Sequence, residues 1–426
     1  MSADNDKSDI RIGFVPLVDA ATLIMAKERG VFEKHGLNVK LEKVSSWARM
    51  RDLLAVGDLQ AAHMLAPMVI ASAMGLEPGT PAFTTSLSLN MNGNAITVSN
   101  ALFAAMYQAD PIAMKERPLT ARALKPLVTS RANNGEPPLK FAMVYPFSSH
   151  NYQLRYWLAA AGIHPDRDVH LVVVAPPRVT EYMKAGIIDG YCVGEPWNSE
   201  AVEQGVGTTL ITSQELMGLA PEKVLGVCKS WANENPDTHE RLIKALIETS
   251  KWLTSAGAAE ETASVLASHS YVGVPAKRIL PSLTGKGRQT AGAITQDIHD
   301  FNVFYRYAAN FPWRSHATWF ITQMYRWGQL DTVSRVQEIV ERAYRPDIFR
   351  DVVAGSEHVY PQIDSKAEGD QAYPWVLTEA SEPIAFGPNK FIDDRVFKPE
   401  DFIAYLEAFE THSLRVELAE LSDENS

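Results

Sequence analysis

The sequence predicts an α/β protein of two similar lobes joined by two chain crossings and followed by a helical C-terminal extension. Three observations carry this. Strand–helix alternation with glycine at helix ends occurs twice, once near the N-terminus and once in the middle of the chain. Strand-like segments lie between and after the two units, so the chain passes from one lobe to the other and back. From about Gln289 the pattern becomes helical and rich in aromatic residues.

In the first unit RIGFVPL reads as a strand and TLIMAKERGVF as an amphipathic helix ending near Gly30. LNVKLEKV, SSWARMRDLLAVG and LQAAHML follow as strand, helix and strand. FTTSLSLNMNGNAITVSN reads as strand, glycine-containing loop and strand, and residues 99–138 as a helical connection with a polar loop. The second unit repeats the plan: LKFAMVYP, the helix SSHNYQLRYWLAAAG closed by Gly162, HLVVVAPP, the helix PRVTEYMKAG and the strand IIDGYCVGEPW. APEKVLGVCKSWANENP is a further strand, before a long helix from about Pro236 to Ser255. HATWFITQMYRWGQL, VSRVQEIVERAY and KPEDFIAYLEAFE supply the helices of the extension, and the acidic ELAELSDENS reads as a frayed tail. The expected division is residues 1–100 and 224–426 for one lobe with its extension and 101–223 for the other, a clamshell with its ligand in the cleft.

A chain of 426 residues, 46% hydrophobic and 21% charged, falls in the ordinary globular range. Its formal charge of -11 argues against direct contact with nucleic acid and leaves room for a basic protein partner. The first nine residues are polar and no apolar run approaches a bilayer span, so no export signal or membrane segment is expected. Cys192 and Cys228 lie in separate apolar runs and read as free thiols of a reducing compartment. Together these features predict a cytoplasmic protein.

The sequence offers no catalytic signature. TGKGRQT lacks the spacing of a phosphate-binding loop, and HERLI lacks the second histidine of a metalloprotease helix. There is no nucleophile elbow, no C-x-x-C, and no histidine pattern with metal-ligand spacing, so neither enzyme activity, cofactor nor metal is expected. What remains is a set of helix starts at strand ends: Ser45-Ser46-Trp47, Ser148-Ser149-His150 and Gly194-Glu195-Pro196-Trp197. Such turns fall where α/β sheets bind ligands, and helix N-termini favour anions. Lys223, at the head of the apolar run APEKVLGV, reads alone as a solvated strand end; beside those turns it becomes a candidate for anion charge compensation.

GFVPLVDAATLIMAKERGVFEKHGL, SSWARMRDLLAVGDLQAAHMLAPM, NGNAITVSN, SSHNYQLRYWLAAAGI and DGYCVGEPWN resemble the nitrate- and bicarbonate-binding proteins of bacterial ABC transporters, over roughly residues 10 to 235. The resemblance implies a two-lobed, type II periplasmic-binding-protein fold with one small oxyanion in the cleft. It carries over Trp47, His150, Gly194, Glu195, Pro196 and Lys223 as site residues, with Asn94 where nitrate transport proteins usually have glutamine. Lys223 favours nitrate or nitrite, since bicarbonate-binding relatives are expected to carry an acidic residue there. Glu195 is expected to pair with Lys223 or His150 and position them.

The absent leader and the Asn-Gly-Asn-Ala-Ile loop resemble most closely the cytoplasmic nitrate/nitrite sensors of the NasS type. That subfamily implies an ANTAR-type RNA-binding antiterminator as partner, held inactive and released when anion binding closes the lobes. The alternatives are the substrate-binding component of a nitrate ABC transporter and, more remotely, a thiamine-pyrimidine synthase, whose cysteine-rich motif this chain lacks.

Overall fold

The computed structural model describes residues 8–413; MSADNDK and the acidic ELAELSDENS lie outside them. Two five-stranded sheets organise the molecule. The first contains β1 (Ser8–Phe14), β2 (Leu37–Lys43), β3 (Ala61–Leu65), β4 (Phe83–Thr84) and, returning much later in the chain, Lys223–Cys228. Between these come β5 (Met91–Asn92) and the second sheet: β6 (Asn94–Ser99), β7 (Lys140–Met143), β8 (His170–Val173), β9 (Gly190–Gly194) and β10 (Gly207–Thr212). With Lys223–Cys228 as β11, the orders are β2-β1-β3-β11-β4 and β10-β6-β9-β7-β8.

Each sheet has a parallel core from its own strand–helix units and one antiparallel strand delivered from the other lobe. β1 pairs in parallel with β2 and β3, and β11 runs antiparallel to β3. Likewise β7 is parallel to β8 and β9, and β6 antiparallel to β9. The helices covering the sheets follow the apolar periodicity. In Trp47–Ala55 the residues Trp47, Met50 and Leu54 form the buried face, and Ser46 caps the start by accepting from Arg49 N at 3.3 Å.

The sequence boundary at residue 100 puts NAITVS in the first lobe, but its hydrogen bonds put it in the second sheet. The chain changes lobe at Asn92 and Gly93, with φ of 62° and 98°, a bend that glycine accommodates without a Cβ penalty. The return crossing lies alongside. Asn92 N–H donates to Ala220 O (2.8 Å), its side-chain amide donates to Gly218 O (3.0 Å), and its side-chain oxygen accepts from Ala220 N (2.8 Å). The hinge is therefore two strands of chain bonded to each other, with Lys223 three residues beyond.

The C-terminal segment is less uniformly helical than its composition predicts. Residues 286–313 form short ribbons and loops before the buried helix Arg314–Arg326, and Trp375–Leu377 pairs with Ile384–Phe386 as a further ribbon. Nor does it attach to one lobe. Arg314–Arg326 packs on Ala66–Ala73 of the first lobe and Ser149–Ala160 of the second. Tyr152 and Tyr156 of that second helix donate to Gln329 Oε1 (2.7 Å) and Asp393 Oδ1 (2.8 Å). No helix among the described residues is long and apolar enough to cross a membrane.

Candidate functional site

The carboxyl ends of β1, β3 and β9 and the head of β11 converge between the lobes, and a buried ionic cluster fills the convergence. Lys223 opens β11, whose register places it opposite Leu65 at the end of β3. Its ammonium lies 2.7 Å from Asp19 Oδ2 and also pairs with Glu222. Asp19 sits just after β1, and His63 Nε2 from β3 lies 3.0 Å from its other oxygen. From the second lobe, Ser149 donates to Glu222 and His150 Nε2 lies 3.4 Å from the same carboxylate. Trp47 forms a wall: its ring centroid is 5.4 Å from Lys223 Nζ and 5.7 Å from the His63 ring. All seven side chains are buried.

Burial sets the protonation of the cluster. It presses against the Lys223 ammonium, but the two carboxylates outweigh it and hold the pKa above the ordinary lysine value. Burial also pushes Asp19 upward, and there Lys223 and His63 prevail, so Asp19 is held well below the usual carboxylate range. For Glu222 burial wins over Lys223 and the pKa is raised. His63 and His150 are lowered by burial first, with Lys223 adding to it, so burial disfavours the imidazolium form of both.

Several polar atoms here have no hydrogen-bond partner in the protein: Trp47 Nε1, Asn94 Oδ1 and both ring nitrogens of His150. An ammonium has three donors, and the two carboxylates occupy two of those on Lys223. The cluster thus retains a lysine N–H, an indole N–H and an imidazole N–H. Buried donors without partners are costly, and a small multi-acceptor anion would satisfy them together.

The expected site residues distribute unevenly. Trp47, His150 and Lys223 meet in the cluster. Asn94 opens β6, donates to Gln153 Oε1 at 3.0 Å and faces Gly194. A Cβ on Gly194 would stand 3.3 Å from Asn94 Oδ1 and 3.5 Å from Asp19 Oδ2, a close but not forbidden approach. Glu195 departs from expectation: its carboxylate accepts from Ser199 N at 3.1 Å and pairs with neither Lys223 nor His150. The reason is local, since it caps the helix Trp197–Glu203 that it precedes. Its backbone oxygen accepts from Val18 N across the cleft at 2.8 Å, and Pro196 carries the chain into the helix. Each of the three helix starts has one of its first-turn N–H groups taken by a side-chain cap. Ser46 and Ser148 cap their own helices, accepting from Arg49 N and Asn151 N at 3.3 and 3.0 Å, as Glu195 caps the third.

Asp19, His63 and Glu222 were not singled out from sequence, although each carries a signal. Asp19 and His63 are the ionisable residues in the largely apolar runs VPLVDAATLI and AAHMLAPMV, where such a residue needs a buried partner. Glu222 directly precedes Lys223. No group of three or more His, Cys, Asp or Glu side chains among the described residues could hold a metal ion. Cys192 is buried and Cys228 half-buried, both unbridged, and burial pushes both thiols up. A 330 Å³ cavity walled by Tyr305, Phe311, Phe349 and His358 in the extension shares no residue with the cluster.

Residues 3–267 match the NMT1-like family. The chain is 35% identical over 96% of its length to the nitrate import ATP-binding protein NrtC of Synechocystis sp., of which it spans 56%. It is 33% identical to the nitrate/nitrite binding protein NrtA of Nostoc sp., covering 80% of this chain and 75% of that one. The crystal structure of the periplasmic nitrate-binding protein NrtA from Synechocystis PCC 6803 superposes with a TM-score of 0.82 at 28% identity, covering 95% of this chain and 99% of that one. The fold is accordingly the α/β periplasmic-binding-protein type, and the chain belongs to the NMT1-like family as a homologue of the NrtA nitrate/nitrite binding proteins.

Proposed function

We propose that this protein binds nitrate or nitrite between its lobes, in the manner of the substrate-binding component of a nitrate ABC transporter. The observation that carries the reading is Lys223: a buried ammonium under the Trp47 ring, with a donor to spare, at the junction of the lobes. Micromolar affinity requires about -8 kcal/mol, and charge-assisted hydrogen bonds contribute roughly 1.5–3 kcal/mol each. Donors from Lys223, Trp47 and His150 are of the right number, whereas the Asn94 amide N–H is turned to Gln153. Trp47 covers one face of a planar anion and keeps water out. The expected result in thermal shift is a rise in melting temperature with millimolar nitrate or nitrite and none with bicarbonate or chloride at equal ionic strength. A bicarbonate response without a nitrate response would reverse the assignment.

A narrower reading, a cytoplasmic sensor that releases an ANTAR-type antiterminator on binding the anion, rests on the Asn-Gly-Asn-Ala-Ile loop, whose Asn94 faces Gly194 at the cleft. It requires an anion-sensitive complex. A complex with an ANTAR protein that forms without nitrate and dissociates with it supports this reading, and its failure to form leaves the transport component. Cell fractionation tests the cytoplasmic location that the sensor reading requires.

A further inference from the structure

The Lys223 cluster holds more carboxylate than ammonium. Asp19 and Glu222 both contact a single buried Nζ, and burial disfavours the charged form of the imidazoles beside them, His63 and His150. Ser149 faces Glu222 from the second lobe, and the Cys192 thiol of β9 stays protonated under burial. Fully ionised, these groups carry two negative charges against one positive. A bound monoanion would make three against one, in a site closed to water where uncompensated charge is prohibitive.

We propose that the site takes up its anion together with one proton from solvent, held on the Glu222 carboxyl. The proton belongs on the oxygen facing Ser149, whose hydroxyl turns from donor to acceptor as the proton arrives, leaving the other oxygen on Lys223 beside His150. Ser149 comes from the opposite lobe, so this proton site is complete only when the lobes are together. Anion and proton enter as a neutral sum, and the net charge of the protein does not change on binding. Asp19 is the wrong residue for the role, because its two oxygens are divided between Lys223 and His63.

The inference rests on the reading of the cluster as an anion site, and one experiment separates the two. Full-length protein is titrated calorimetrically with sodium nitrate, at matched pH and ionic strength, in buffer pairs of unlike ionisation enthalpy between about pH 6 and 8. The expected result is an apparent enthalpy that differs between buffers by up to one proton taken up per anion. Where uptake is complete, Kd should rise about tenfold per pH unit. Glu222→Gln should bind nitrate with no buffer dependence. Saturable binding by the wild type with equal enthalpies throughout that range overturns the proton and leaves the anion site standing. Proton uptake that persists in Glu222→Gln overturns the assignment to Glu222. No binding of nitrate or nitrite by the wild type overturns both. If Glu222→Gln does not fold, the wild-type buffer series still decides whether a proton is taken up.

Discussion

The Lys223 ammonium lies 2.7 Å from the Asp19 carboxylate, and both are sealed from solvent at the meeting of the two lobes. The pair belongs to one lobe: Asp19 follows its first strand and Lys223 opens the strand returning from the other. The charge is thus fixed to the sheet beside the hinge, and the second lobe brings Ser149 and His150 to it.

Removing the lysine tests that arrangement. Lys223→Met strands Asp19 and Glu222 without a cation, and breaking a buried pair in this way costs about 3–5 kcal/mol. The expected outcome in urea unfolding is a loss of that order, with nitrate binding abolished. The double change Lys223→Met with Glu222→Gln should recover part of the stability and none of the binding.

Trp47→Phe separates binding from folding. Trp47 Nε1 has no partner in the protein, so its removal leaves no protein acceptor unpaired. The indole is packed in the core, so the smaller ring leaves a void and stability should fall by about 1–2 kcal/mol, short of unfolding the protein. If the indole N–H holds the anion, Kd should increase about tenfold or more, as for loss of one charge-assisted hydrogen bond. Equal Kd values for the two proteins would remove Trp47 from the donor set.

Across the cleft mouth, Tyr145 of the second lobe donates to Glu77 of the first, and Arg51 Nη1 holds both, at 2.9 Å from Glu77 and 3.0 Å from the Tyr145 hydroxyl. Tyr145→Phe deletes both cross-lobe bonds of its hydroxyl, to Glu77 and from Arg51, and leaves the Arg51–Glu77 pair intact. A net hydrogen bond contributes about 1 kcal/mol, so anion release in stopped flow should accelerate about fivefold to thirtyfold, with little change in association.

The Glu195 carboxyl is pushed up to about 7 by burial, despite its bond from Ser199 N. The folded protein therefore holds this proton more tightly than the unfolded chain, whose value is near 4.5. Stability contributed by the neutral carboxyl is complete below the unfolded value and is lost as pH rises toward the folded one, at up to about 1.4 kcal/mol per pH unit. Glu195→Gln should flatten the pH dependence of urea unfolding between about pH 5 and 7. An unchanged slope would place the titration elsewhere.

Much of the fold is legible in the sequence because glycines and apolar periodicity mark each strand–helix unit, and the helix starts at Ser46, Ser148 and Pro196 lie where the pattern puts them. The lobe boundary is not. Met91, Asn92 and Asn94 are all in strands, and only the positive φ of Asn92 and Gly93 separates the short ribbon that Met91–Asn92 forms with Asn302–Val303 from the second sheet. In the candidate site, Trp47, His150 and Lys223 could be found because they stand at helix starts and a strand head. Asp19 and His63 could not be paired from sequence, since their contact depends on β1 and β3 lying side by side. The expected pairing of Glu195 with Lys223 or His150 differs for a similar reason: capping is a contact within four residues, and it competes with any partner across the cleft.

The most direct measurement is a crystal structure of the full-length protein grown with nitrate. The account predicts a planar trigonal ion against the Trp47 ring, within hydrogen-bond distance of Lys223 Nζ, with Ser149 and His150 brought up from the opposite lobe. A nitrate ion bound elsewhere with this cluster empty of it, or a saturated complex in which Lys223 touches only Asp19 and Glu222, would contradict it.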